Sequence, residues 1–323
     1  MDIAKFGKIG FGTFGSDKYD EATVASAVYT AIQCGYRIFD CASVYGNEKQ
    51  IGEVFARAFE KGIVKREDLF IISKVWNDKH GEGEVIASCK QSLKDLGLDY
   101  IDLYFTHWPF PNYHAKGCDV SSRNKDSRPF FVQDFMSAWK QMEWLKENGL
   151  AKNIGMSNMT IPKFEAVLPL CNVLPYAHEM ELHPSFQQEE LYSYCKSKGM
   201  NIIGYCPIGS PNRPERDKTA KDIVDTQLYE VNELSKKYDC HPVEICLRWA
   251  SSRGHIPIPF SSSENNIKSN ILAVEKPLIS QDMELIKSAE KNCRLVKGHV
   301  FLWDGAKDWA DLWDDSGKLE NWK

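Results

Sequence analysis

The sequence predicts an α/β fold, a closed (β/α)8 TIM barrel built as a single domain over residues 1–323. Residues 293–323 form a tryptophan-rich C-terminal tail placed over the active site. Three observations carry this reading. Eight apolar runs of strand length alternate with longer segments of helical period almost from end to end. Several of those runs are apolar at successive positions, as strands buried on both faces are. No linker, low-complexity stretch or shift in composition divides the chain.

Residues 8–12 are the first strand. Asp20-Glu21 opens a helix in which Ala22, Ala25, Val28, Tyr29 and Ile32 recur at three- and four-residue steps before Gly35. Residues 37–41 are the second strand, and the helix from Asn47 carries Ile51, Val54, Phe55, Ala58 and Phe59 on one face. The third strand is 69–73, followed by a helix over 83–96 and the fourth strand over 100–106. Residues 111–129 have no periodicity and read as a long loop after a strand, a common place for function. A helix over 132–147 turns Phe135, Ala138, Trp139, Met142 and Leu145 inward, and 150–156 is the fifth strand. Pro162 falls in the first turn of the next helix, where a missing N–H costs little. The sixth strand is 176–182, then a helix over 189–197 and the seventh strand over 201–206. The loop 207–222 leads to helices over 227–238 and 242–251, the last of them short, and to the eighth strand over 255–258. Helices over 265–273 and 281–288 close the series. In the tail, Trp303, Trp309, Trp313 and Trp322 lie among acidic residues, as packing anchors or as a cover for the pocket mouth.

Composition narrows the function. Hydrophobic residues are 43% and charged residues 26%, ordinary for a chain with a large core. A net charge of −5 with interspersed signs gives no basic stripe, which argues against nucleic acid as a partner. No apolar run approaches the ~18 residues of a membrane span, and no secretory h-region is present. Ten cysteines without a CxxC pair are expected to be free thiols in a reducing compartment, so a cytoplasmic location is expected. No His/Cys cluster has zinc spacing, so no metal is expected.

Gly10-Phe11-Gly12-Thr13-Phe14-Gly15 matches GxGxxG after a strand, with Asp40 ending the next strand, the layout of a dinucleotide-binding Rossmann unit. Ser16-Asp17-Lys18-Tyr19 then separates the glycines from the helix, so the helix N-terminus would not lie under a pyrophosphate. The glycines are better explained by a tight approach at the barrel rim.

Catalytic groups of a (β/α)8 barrel come from the C-terminal ends of several strands. Asp40 and Tyr45, Lys74, and His107 follow strands two, three and four. A free phenol has a pKa near ~10 and is a weak acid. A nearby ammonium lowers it, and Asp40 would hold Lys74 in place and charged. Hydride delivered to a carbonyl carbon builds alkoxide charge, which Tyr45 would protonate and His107 and Lys74 would stabilise. Singly, each residue has a plainer use: an Asp40–Lys74 structural ion pair, Tyr45 packing at a helix entry, His107 in a loop turn. Their joint placement on successive strand ends carries the chemical reading.

With these residues in view, the chain resembles the aldo-keto reductases, of the aldose and aldehyde reductase type, over nearly its whole length. The matching segments are 35–48, 71–77, 99–109, 154–158, His183-Pro184 and 205–214. The resemblance implies a barrel that binds an extended nicotinamide dinucleotide, and a tetrad of Asp40, Tyr45, Lys74 and His107 with Tyr45 as general acid. It puts Ser157, Asn158 and Glu179 at the nicotinamide carboxamide, Tyr205 against the nicotinamide ring, and Ile208-Gly209-Ser210 in the loop over the pyrophosphate. Thr13 and Phe14, with Ser261, Ser262, Ser263, Asn266 and Asn270, complete the implied cofactor site. Val44, Trp76, Trp108 and Trp303 are the implied substrate pocket. The partner is then a small-molecule carbonyl substrate, an aldose, sugar-derived or small aldehyde.

Three departures matter. Glu179 stands where the family usually has Gln, and a carboxylate accepts but does not donate. Phe260 and Asn266 stand where a Lys and an Arg normally meet the 2′-phosphate, charge-assisted contacts of about 1.5–3 kcal/mol each. The serines, a helix N-terminus and Lys268 remain to hold a phosphate. The expected cofactor is therefore NADP(H) or NAD(H), with weakened discrimination between them. The N-terminus is also shorter than the hairpin that usually plugs the barrel bottom. The runner-up reading is a barrel that binds cofactor as a regulatory or binding subunit with little turnover.

Overall fold

The computed structural model describes residues 2–15, 18–114, 121–211, 213–215, 218–315, 317 and 319. Ser16, Asp17, Asn212, Trp322 and the middle of the 111–129 loop lie outside the described residues. Eight parallel strands follow one another around a single sheet in chain order. They are β1 (Phe11–Gly12), β2 (Ile38–Asp40), β3 (Phe70–Val75), β4 (Ile101–Thr106), β5 (Ala151–Ser157), β6 (Ala177–Glu181), β7 (Asn201–Tyr205) and β8 (Ile256–Pro257). Gly10 N donates to Pro257 O at 2.9 Å and Gly12 N to Pro259 O at 3.0 Å, which closes β8 onto β1 and makes the sheet a barrel. This closure explains the glycines. A Cβ on Gly12 would stand 2.8 Å from the Ile258 carbonyl oxygen, so only glycine lets the two backbones meet.

Ten α-helices lie among the described residues: α1 (Glu21–Gln33), α2 (Glu48–Glu60), α3 (Glu84–Leu96), α4 (Val132–Glu147), α5 (Ile161–Val167), α6 (Glu189–Ser197), α7 (Tyr229–Tyr238), α8 (Pro242–Arg253), α9 (Glu264–Ala273) and α10 (Ser280–Lys287). Their starts have local causes. The Asp20 side chain accepts from Thr23 N ahead of α1, and the Thr160 side chain accepts from Lys163 N ahead of α5, with Pro162 in its first turn. His241 and Glu244 cap α8 reciprocally, and this helix runs two residues past the expected end because Ser252 and Arg253 continue it to Gly254.

The barrel interior is filled by Ile38, Phe70, Ile72, Leu103, Phe105 and Ile203, with Ile3 packed against them. Ile3 belongs to a single 3₁₀ turn, Ile3–Phe6, whose Phe6 ring lies 5.3 Å from Phe70 and whose Ile3 N donates to the Tyr176 hydroxyl at 2.8 Å. This turn packs Ile3 and Phe6 against the bottom of the barrel interior. At the top, the segment after α10 folds across the barrel. Glu181 accepts from Leu295 N at 2.7 Å and Val296 N at 2.9 Å, and Lys163 Nζ donates to Leu312 O at 2.8 Å.

Candidate active site

The C-terminal strand ends open into a cleft of about 770 Å³. Each catalytic candidate arrives on its own element: Asp40 ends β2, Tyr45 sits in the 3₁₀ turn Ser43–Tyr45 beyond it, Lys74 lies near the end of β3, and His107 follows β4. Parallel register brings them together, since Asp40 pairs with Ile72 and Lys74 with Phe105. The structure brings all four to one place. Lys74 Nζ donates to Asp40 Oδ1 at 2.5 Å and to Cys41 O at 3.2 Å, and it lies 5.4 Å from the centre of the Tyr45 ring. The Tyr45 and His107 rings meet edge-on at 5.9 Å.

Electrostatics assign the protons. Burial opposes the charge on Lys74, but Asp40, Glu179 and Tyr45 outweigh it and hold its pKa well above the ordinary lysine value. Burial, helped by the Lys74 charge, pushes His107 well below the ordinary histidine value, so it is a neutral imidazole. Tyr45 corrects the sequence-based expectation. Burial around its hydroxyl raises the pKa above that of a free phenol, and the lowering by Lys74 does not overcome it. Tyr45 is thus a firmly protonated phenol, fit to release its proton only to an oxygen that has become strongly basic.

One contact was not foreseen. Glu179, within β6, places Oε1 3.3 Å from Lys74 Nζ, so the ammonium lies between two buried carboxyls. Around it, Ser157 Oγ and Asn158 N both donate to Glu179 O at 3.0 Å, and the Tyr205 hydroxyl donates to Asn158 Oδ1 at 2.6 Å.

The cleft is lined by Phe14, Asp40, Val44, Tyr45, Trp76, His107, Trp108, Ser157, Asn158, Glu179, Tyr205, Ile208, Ser210, Ser261, Ser262, Ser263, Asn266 and Asn270. Lys74, Thr13 and Trp303 are among the expected residues outside the lining. Lys74 sits behind it, fully buried, and acts on the cleft only through its neighbours. Thr13 is buried in the wall, where its hydroxyl donates to Asp40 O at 2.9 Å. Trp303 is buried in the core beneath the tail, and Phe301 takes the place expected of it, 4.4 Å from the Trp108 ring and 5.7 Å from that of Trp76. Sequence reasoning also missed Asn112, His114 and residues 295–300 of the lining, which have no periodic or motif signal.

At the far end of the cleft the cations differ from expectation. Lys268 is absent from the lining and pairs with Glu264 one helical turn away. Phe260 packs its ring 5.7 Å from Phe11 and 5.4 Å from Tyr19. Among the described residues, the lysine and arginine that line the cleft, Lys297 and Arg213, both pair with Asp222, Lys297 at 3.0 Å. Asp222 thereby ties the 207–222 loop to the tail. The loop's turn needs Gly209, at φ 72°, because a Cβ there would lie 2.2 Å from Asp225 Oδ2.

Comparison with known proteins gives a consistent picture. The profile of the aldo/keto reductase family matches residues 8–291. Aldo-keto reductase family 1 member A1-A of Danio rerio is 35% identical over 305 residues, covering 94% of this chain and 92% of its own. The aldose reductase of Encephalitozoon cuniculi is 38% identical over 292 residues, covering 89% and 91%. Among solved structures, a Bombyx mori aldo-keto reductase in complex with NADP superposes with a TM-score of 0.78 at 32% identity, covering 90% of this chain and 91% of that one.

Proposed function

The chain belongs to the aldo/keto reductase family, and from that premise we propose that it is an oxidoreductase that reduces an aldehyde or ketone to the alcohol with NADP(H) or NAD(H). Its substrates in this reading are aldoses, sugar-derived aldehydes or small aldehydes; one relative at 34% identity is an NADPH-dependent D-xylose reductase of Candida boidinii. The observation that carries it is the buried Lys74, held charged by Asp40, beside a protonated Tyr45 and a neutral His107 at one cleft.

The cleft's residues fit a nicotinamide dinucleotide. Glu179 Oε2 is a buried oxygen without a hydrogen-bond partner among the described residues, at the end where Ser157, Asn158 and Tyr205 would hold the nicotinamide. Ile208 and Ser210 would cover the pyrophosphate. Ser261, Ser262, Ser263, Asn266 and Asn270, with Phe14 nearby, would hold the adenosine end. When bound, the reduced cofactor supplies hydride to the carbonyl carbon.

The chain's residues supply the rest. The Tyr45 hydroxyl donates to the carbonyl oxygen, and His107 donates an N–H from a neutral ring. As negative charge gathers on that oxygen, the proton of Tyr45 crosses to it. Lys74 stabilises the phenolate left behind, and Asp40 keeps Lys74 charged and in place. Val44, Trp76, Trp108 and Phe301 form an apolar wall that excludes water from the carbonyl. A reducing, cytoplasmic setting belongs to the same reading, supported by described cysteines that are all free. No helix among the described residues is long and apolar enough to cross a membrane. Nothing among the described residues favours a binding subunit with little turnover.

The test is direct. Purified protein with NADPH or NADH should oxidise the cofactor when given members of a panel of aldehydes, aldoses and ketones. Failure of every carbonyl compound with both cofactors would overturn the reading.

A further inference from the structure

Lys74 has more counter-charge than it needs. Asp40 alone, at 2.5 Å, with Cys41 O at 3.2 Å, accounts for a buried lysine, yet Glu179 stands 3.3 Å away on a third strand. Both carboxyls are almost wholly buried. Two carboxylates and one ammonium in so dry a site leave an uncompensated negative charge, which such a site relieves by keeping a proton. Burial raises the pKa of Asp40 too, against the pull of Lys74, but Asp40 is the nearer to the ammonium and the first of the two to ionise, its charge then raising Glu179. Glu179 is the farther, and its Oε2 has no partner among the described residues.

The groups facing Glu179 agree. Asp40 comes from β2, Tyr45 from the turn beyond it, Lys74 from β3 and Tyr205 from β7, and the neutral Ser157 at the end of β5 and Asn158 after it bind the Glu179 backbone carbonyl. Burial first, then the charge of Asp40, pushes the Glu179 carboxyl up to about 8 against the pull of Lys74. Once ionised, Glu179 both draws on Lys74 and raises the Tyr45 pKa.

Resting on the reading of Tyr45 as the acid, we propose that Glu179 is a positioning residue that shares Lys74 with Asp40, and that its proton decides whether the ammonium supports Tyr45. With Glu179 neutral, Lys74 is free to stabilise the phenolate that proton transfer leaves. With Glu179 ionised, Lys74 is divided between two carboxylates and the phenolate forms next to a second negative charge. Reduction therefore slows as Glu179 loses its proton.

Two measurements test this. In protein labelled with carboxyl-¹³C glutamate and free of substrate, the resonance lost in Glu179→Gln should titrate well above the ordinary glutamate range. It should move to still higher pH in Lys74→Met. In turnover, the wild-type kcat for reduction should fall with rising pH, by about tenfold per pH unit beyond the midpoint. In Glu179→Gln the normalised profile should lose that limb or move it up by at least about one pH unit. A thermal transition near that of the wild type identifies a folded variant. If E179Q does not fold, the glutamate resonance that responds to Lys74→Met serves in its place.

A Glu179 carboxyl that titrates near pH ~4.3, or an E179Q profile with the wild-type midpoint, would overturn the proposal. Absence of turnover on every carbonyl compound would sink the reductase reading instead. The carboxyl titration, read without substrate, would still decide whether Glu179 and Lys74 form a proton-dependent pair.

Discussion

Asn266→Arg is expected to restore discrimination for NADPH over NADH. Asn266 is exposed, lines the cleft and lies in the first turn of α9, so an arginine fits without displacing core atoms. The two cofactors differ by a 2′-phosphate, so the new guanidinium acts on that difference alone. A charge-assisted hydrogen bond is worth about 1.5–3 kcal/mol when shielded, and exposure to salt reduces this to about 1–2 kcal/mol. At about 1.4 kcal/mol per factor of ten, the NADPH Kd should fall by roughly 5- to 30-fold while that for NADH stays within about twofold. The matching Phe260→Lys change is the poorer test, because it also removes ring contacts to Phe11 and Tyr19 worth about 0.5–1.5 kcal/mol each. Titration calorimetry or quenching of tryptophan fluorescence measures both constants, at low and moderate ionic strength. The gain should shrink with added salt, since the charge is exposed. Equal tightening of both cofactors, or none, would refute the placement of the adenosine phosphate at the start of α9.

Three further outcomes are expected. Tyr45→Phe should lower kcat by about 10²–10⁴-fold, the usual worth of a general acid, while cofactor affinity measured by fluorescence changes little; retained turnover would misassign Tyr45. Lys297→Met should free the 207–222 loop from the tail and speed dinucleotide release by roughly 2- to 12-fold in stopped flow, the equivalent of about 0.5–1.5 kcal/mol. An unchanged rate would mean the link is not a latch. His183 is clamped at 2.9 Å by both Glu181 and Asp225, and although burial opposes its charge, those carboxylates raise its pKa to about 9. The folded value lies above the ~6.5 of an unfolded histidine. Its charge therefore contributes fully below pH ~6.5, by roughly 3 kcal/mol, and this is lost as pH rises through about 9. Denaturation by urea across pH 6–10 should show that decline, and His183→Gln should flatten it.

Periodic features of the chain were legible, and compensating ones were not. Alternation of apolar runs located all eight strands and, with them, the strand ends that carry Asp40, Lys74 and His107. The 3₁₀ turn at Ile3–Phe6 escaped because four residues are too few to show a period, yet Ile3 and Phe6 pack against the barrel interior. The tail misled for a related reason. Its tryptophans stand out by type, but a large ring is stabilised as much by burial as by lining a pocket, and Phe301 rather than Trp303 faces the cleft.

The charges show the same limit more sharply. Lys268 reads as a spare cation along the sequence, but Glu264 one turn earlier claims it. Tyr45 beside Lys74 reads as an acidified phenol, because the sequence shows the ammonium and hides the burial that outweighs it. Substitution of Glu for Gln at 179 reads as one altered hydrogen bond. Only the distance to Lys74 shows that it adds a second carboxyl to a site already neutral with one. A residue type predicts its charge reliably where solvent surrounds it. In a dry cluster the charge belongs to the whole set, and of the two carboxyls beside Lys74 the farther one, Glu179, is the one assigned the proton.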